Sequence, residues 1–270
     1  MFAESPREHA SKRSGTSHGG TPHATAARWS YNHTMATQSG QLSITWYGHS
    51  TFVITTPGGK RIVTDPWLEH NPMCPPGMKR IAQADVILLS HGHSDHTGDV
   101  VAVSRSTGAP IVAVYELALW CERKGLQNVQ GMGIGGTIEL AGLKVSMVPA
   151  IHTSSVVEND VTVYLGEPAG FVVRTEDHEA FYFAGDTAVF GDMRLIAEMH
   201  APRIAFLPIG DHFTMGPDGA ALAAKMLGVR QVVPMHYGTF PVLTGTPDRL
   251  RELLDPGVDM LVLKPGQTSN

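Results

Sequence analysis

The sequence predicts an α/β chain of the α+β kind, with two sheets packed face to face and helices on the outer surfaces. Three observations predict it. Short apolar runs of strand length recur along the chain, first paired as hairpins and then alternating with helical stretches, and this order occurs twice. The 270 residues are 42% hydrophobic and 17% charged, enough apolar matter for a large core in one domain. Finally, histidines and aspartates stand immediately after several of the apolar runs, where such folds collect functional groups.

The elements follow in order. Residues 1–40 are rich in Ser, Thr, Gly, Ala and His without apolar periodicity, and are expected to form a disordered extension. It holds His9, His18, His23 and His33 at spacings that define no metal site, and Met35 is an alternative start. The folded domain is expected over 41–270. Leu42–Tyr47 alternates as a half-buried strand, Thr51–Ile54 resumes it after Gly48-His49-Ser50, and Pro57-Gly58-Gly59 turns the chain into Lys60–Thr64. A loop from Glu69 to Gly77 leads to the buried strand Val86–Leu89. Then come a helix over Gly98–Ser106, a strand at Pro110–Val114 and a helix at Glu116–Lys124.

Gly131–Gly136 reads as a tight connection between strands, lacking the lysine and following helix of a phosphate loop. The second half carries strands at Thr137–Leu140, Leu143–Pro149, Val161–Leu165, Phe171–Arg174 and Ala180–Ala184. It closes with helices at Met193–His200, Ala220–Leu227 and Asp248–Leu254 between strands at Ile204–Leu207, Gln231–Pro234 and Met260–Leu263.

The chemistry centres on Ser90-His91-Gly92-His93-Ser94-Asp95-His96-Thr97-Gly98, at the turn from a strand to a helix. Imidazole and carboxylate are ordinary ligands of zinc and similar divalent ions. Alternate residues of an extended turn let His91 and His93 reach one ion, leaving Asp95 and His96 to face a neighbour. His152, Asp186 and His236 each follow an apolar strand and complete two sets. One ion would take His91, His93 and His152, the other Asp95, His96 and His236, with Asp186 bridging. The cofactors expected are therefore two divalent metal ions, zinc first, with manganese or iron as alternatives.

The motif with the later His152, Asp186 and His236 resembles the metallo-β-lactamase superfamily. The nearer likeness is to a bacterial family of metal-dependent hydrolases similar to ascorbate-6-phosphate lactonase and N-acylphosphatidylethanolamine phospholipase D. Matching stretches are Tyr47–Ser50, Thr64–Pro66, Ile87–His93, Ala184–Thr187, Leu207–Asp211 with Phe213–Pro217, and Val233–Tyr237. The resemblance spans roughly Leu42 to Gly266 and implies the αββα four-layer sandwich of the metallo-β-lactamase fold. No cysteine stands at a ligand position, unlike the best-known β-lactamases.

Such a site implies a metal-dependent hydrolase in which a metal-bridging hydroxide attacks a small ester, lactone or phosphorylated metabolite. Asp95 and Asp186 are the catalytic candidates, Asp186 also carrying a proton to the leaving group. His49, Asp65, Asp211, His212 and Tyr237 are the candidates for supporting the ligands or touching substrate. Asp65 and Asp211 are placed to accept an imidazole N–H, while Thr239 and Phe240 are candidate pocket residues. His70, His178 and His200 read as surface residues. Alternatives are an iron-dependent redox enzyme on the same scaffold, a phosphodiesterase or nuclease, and a metal-dependent sensor. His93 stands where diiron relatives usually carry an acid.

The net charge of −5 is spread without long single-sign runs, arguing for a small-molecule substrate and against nucleic acid or an anionic membrane as partner, with self-association allowed. Cys74 and Cys121 are too few for a disulfide framework and read as thiols of a reducing compartment. With no apolar run near the ~18 residues of a membrane span, and no secretory signal, a cytoplasmic location is expected.

Overall fold

The computed structural model describes residues 40–269; the expected extension, with its four histidines and Met35, lies outside the described residues but for Gly40. The first sheet holds β1 (Ser43–Gly48), β2 (Thr51–Thr55), β3 (Arg61–Thr64), β4 (Val86–Leu88), β5 (Ile111–Val114) and β6 (Val129–Met132), side by side in chain order. Pairing is antiparallel from β1 to β3 and parallel from β3 to β6. Helices α1 (Ser94–Thr97) and α2 (Val100–Thr107) follow β4, and α3 (Tyr115–Arg123) packs back on β5 and β6.

The second sheet repeats the plan. It contains β7 (Thr137–Leu140), β8 (Leu143–Pro149), β11 (Ala169–Arg174), β12 (Ala180–Phe183), β13 (Ile204–Pro208), β14 (Gln231–Met235) and β15 (Asp259–Met260). Again antiparallel pairs come first and parallel ones follow from β12 onward. Helices α4 (Met193–His200), α5 (Pro217–Leu227) and α6 (Pro247–Leu253) fill the parallel crossovers. A separate hairpin, β9 (Ser155–Glu158) with β10 (Val161–Tyr164), stands between β8 and β11.

Side chains from both sheets form one core. β4, β5 and β12 are buried along their whole lengths, as strands covered on both faces are. Phe52 of the first sheet meets Phe206 of the second edge to face, ring centroids 5.0 Å apart. Helices outside two facing sheets make the αββα four-layer sandwich that the resemblance implies.

The strand directions explain the site. β1, β3 and β4 run the same way, and so do β8, β12, β13 and β14, so the residues following them collect along one edge. Backbone bonds stitch the two sheets together there, His236 N to His49 O at 3.2 Å and Ala169 N to Ser90 O at 2.9 Å.

Two local expectations are corrected, and one strand is added. Gly131 is not in a turn but in β6, where a Cβ would stand 3.1 Å from the Tyr115 ring and 3.3 Å from Ala118, so α3 packs over a bare backbone. Ser155–Glu158 is a strand, only half-buried and paired with β10 alone. Asp95 and His96 lie on the single turn α1, not on an extended loop; the N–H groups of His96 and Thr97 donate to His93 O at 3.0 Å.

Candidate metal centre

Each ligand candidate is delivered by a sharp exit from a strand. His49, Asp65 and His236 adopt left-handed backbone (φ 55, 36 and 53), which turns the chain over the sheet edge at once. That conformation is costly for residues other than glycine and clusters where function holds it in place. Gly185 (φ 60) precedes Asp186 because the strand ends meet closely: a Cβ there would be 2.7 Å from Ser90 Cβ.

Asp186 sits at the centre. Its Oδ2 lies 2.9 Å from His236 Nε2, 3.3 Å from His96 Nε2, 3.7 Å from His152 Nε2 and 3.9 Å from His91 Nε2. On one side His93 Nδ1 stands 3.0 Å from His91 Nε2 and 3.3 Å from His152 Nε2. On the other, one ligand atom each from His49, Asp95, His96 and His236 lies within 4.8 Å of the rest. The sequence-predicted ligands thus converge as two neighbouring sets with Asp186 between, and His49 joins the second.

The donors fit divalent cations. Four bonds of about 2.0–2.1 Å in a tetrahedron separate zinc ligands by about 3.3 Å, which the nitrogen spacings of the first set match. His49 Nε2, His96 Nε2 and Asp186 Oδ1 are buried with no hydrogen-bond partner, as is His236 Nδ1, and buried polar atoms are rarely left so.

Asp65 is fully buried beneath the cluster. One of its oxygens accepts from Ser90 N (2.8 Å), the other from Ser90 Oγ (2.6 Å) and His96 Nδ1 (2.8 Å). With its own proton committed to Asp65, Ser90 Oγ accepts from His91 Nδ1 at 2.9 Å. Each Nδ1 is thus committed to a hydrogen bond and each Nε2 is turned towards Asp186, the orientation that a metal ligand needs. Ser90 was visible only as a motif residue; its linking role needed the fold.

Burial, with the neighbouring imidazoles, lowers His91 well below its ordinary range and His49 to about 4; burial also brings His152 to about 4. Burial opposes charge on His96 as well, but the Asp186 and Asp65 carboxylates outweigh it and hold His96 well above its ordinary value. Burial would raise Asp186, yet His236 and His96 keep it well below the usual carboxylate range. Asp95 is lowered too, the His49 contact outweighing its burial. Asp95 is 25% exposed and His152 13%, against at most 3% for Asp186, His91, His96 and His236, so the cluster opens to solvent past Asp95 and His152.

Other candidates are placed differently. Asp211 (φ 65) and His212 (φ 56) lie on an exposed loop that turns outward; the Asp211 carboxylate meets no imidazole and the His212 ring meets exposed Phe213 edge to face. The Tyr237 ring stacks on Trp46, 5.2 Å between centroids, and belongs to the core side. Thr239 and Phe240 do reach the cluster, Thr239 Oγ1 at 2.9 Å from His49 Nδ1 and the Phe240 ring at 5.7 Å from that of His49. His70 and His178 are exposed, while His200 is half-buried.

Residues 60–237 match the family model described as Beta-lactamase superfamily domain. A UPF0173 metal-dependent hydrolase of Rubrobacter xylanophilus is 48% identical over 232 residues, covering 84% of this chain and 96% of that protein. A protein of the same name from Methanopyrus kandleri is 41% identical, covering 84% and 99%. Among solved structures, Igni18, a metallo hydrolase of the archaeon Ignicoccus hospitalis, superposes with TM-score 0.74 at 34% identity, covering 84% of this chain and 97% of its own. The chain belongs to the metallo-β-lactamase superfamily, and its relatives and site make it a metal-dependent hydrolase.

Proposed function

We propose that this member of the superfamily hydrolyses a small ester, lactone or phosphorylated metabolite at a site holding two divalent cations. The observation that carries the reading is Asp186 Oδ2, set 2.9–3.9 Å from four imidazole nitrogens drawn from both sets. His91, His93 and His152 would hold one cation, Asp95, His96 and His236 the other, with Asp186 shared. Cations bound there supply water of lowered pKa and polarise a carbonyl or phosphoryl oxygen.

The chain does the rest. Asp65 and Ser90 fix the ring orientations of His96 and His91 before any ligand arrives. Asp186 Oδ1, buried and unpartnered, is the atom placed to hold a proton on its way to the leaving group. Asp95 stands at the mouth, where substrate enters. Trp67 and Phe240, 6.0 Å apart, form an apolar wall beside His49 that suits the carbon skeleton of an ester or lactone. Zinc is the leading metal; the same ligands take manganese or iron according to supply. Cys74 and Cys121, both buried and unpaired, suit a reducing cytoplasm.

The test is a panel of lactones, esters and phosphodiesters offered to zinc- or manganese-loaded protein beside a His93→Ala control. Turnover above that control on at least one class supports the reading. No difference from it across the panel overturns the reading.

A further inference from the structure

We infer that His49 is a direct ligand of the cation held by Asp95, His96 and His236, an inference that rests on the two-cation reading above. The motif-derived set gives that cation three side chains and a share of Asp186. His49, from the turn between β1 and β2, adds a fourth of its own.

The His49 ring is fully buried, 3.9 Å from the His236 ring and 5.4 Å from the His96 ring between centroids. Its backbone is locked from two sides, its carbonyl accepting from Trp46 Nε1 at 3.0 Å and His236 N at 3.2 Å. Thr239 Oγ1, 2.9 Å from His49 Nδ1, can take the ring proton there while its own goes to Met73 Sδ at 3.1 Å, and in that tautomer Nε2 carries a lone pair.

That lone pair points into the cluster. His49 Nε2 lies 3.2 Å from Asp95 Oδ2, yet the pair lacks hydrogen-bond alignment and Nε2 has no partner. The buried Nε2 thus faces the carboxylate oxygen without a proton aligned between them, an arrangement that a cation shared by the two atoms would satisfy. The separation is close to the edge of about 3.3 Å in a tetrahedral zinc site. A ring serving only to orient Asp95 would instead place an N–H on that oxygen.

The two sites then differ. His91, His93 and His152 with Asp186 give one cation four donors; His49, Asp95, His96 and His236 with Asp186 give the other five. The first set suits tetrahedral zinc, the second an ion that takes more ligands, such as manganese, iron or cobalt.

The test is nuclear magnetic resonance on the full chain, nitrogen-15-labelled at histidine and loaded with cadmium. The inference expects two cadmium resonances, one of them scalar-coupled to His49 Nε2 together with nitrogens of His96 and His236. Coupling to His96 and His236 but not to His49 overturns the inference and leaves the two-cation reading standing. A single cadmium resonance overturns the two-cation reading itself. A His49→Ala variant supplies the second readout: its affinity for the second cobalt ion falls more than the roughly 10–100-fold of a lost supporting partner, and added imidazole restores it. Retention of both cobalt ions at unchanged affinity contradicts the assignment.

Discussion

Asp65→Asn isolates the role of the carboxylate beneath the cluster. Asn is nearly the same size and tolerates the left-handed backbone (φ 36) as Asp does, so shape and strain are preserved. The charge and one acceptor are lost. In the least costly orientation the amide oxygen keeps Ser90 Oγ and His96 Nδ1, while the NH2 group faces the Ser90 N–H that formerly donated at 2.8 Å. One charge-assisted bond, worth about 1.5–3 kcal/mol, disappears and two others weaken; relief from burying a charge offsets part of this. We expect the metal-free protein to lose about 2–3 kcal/mol, read from urea unfolding. The second ion should bind about 10–100-fold more weakly because His96 is no longer held as firmly with its proton on Nδ1. Competition with a chromophoric chelator measures that. Unchanged unfolding midpoints together with both affinities intact would refute the reasoning.

Three further predictions follow from other parts of the site. Gly185→Ala forces a Cβ to within 2.7 Å of Ser90 Cβ at a left-handed position, and should cost about 1–3 kcal/mol while lowering metal occupancy, read by unfolding and elemental analysis. In metal-free protein, His49 and His152 titrate near 4 when folded against 6.5 when free, so only the unfolded chain binds those protons between these values and stability falls as pH drops from 6.5 to 4. His96, raised well above 6.5, contributes stability that is present below 6.5 and lost as pH climbs through its folded value, so the maximum should lie near pH 6.5; a profile flat from pH 4 to 6.5 contradicts this. Zinc at a hundredfold excess over its dissociation constant should stabilise metal-free protein by about 2.7 kcal/mol per site in calorimetry, an effect that chelation reverses.

Much of this was legible in the sequence for one reason. His152, Asp186 and His236 directly follow apolar runs, and strands with a common direction must end at a common edge. What stayed illegible was which way a side chain turns after leaving its strand. Asp65 and Asp211 occupy similar positions in the chain, just past β3 and β13. One folds inward under His96 and the other outward with exposed His212 and Phe213. His49 stood out as a turn histidine only through its place in the Gly-His-Ser motif of similar proteins, because its meeting with Asp95 depends on β1 lying across from β14, far away along the chain. Gly131 looked like a turn because glycine is usual there, whereas here it makes room for α3.

Anomalous X-ray scattering from zinc-loaded crystals tests the central claim most directly. The account predicts two peaks per chain, about 3.5–4 Å apart, one among His91, His93 and His152 and the other beside Asp95, His96 and His236, with Asp186 between them. A single peak, or density away from Asp186, would contradict it.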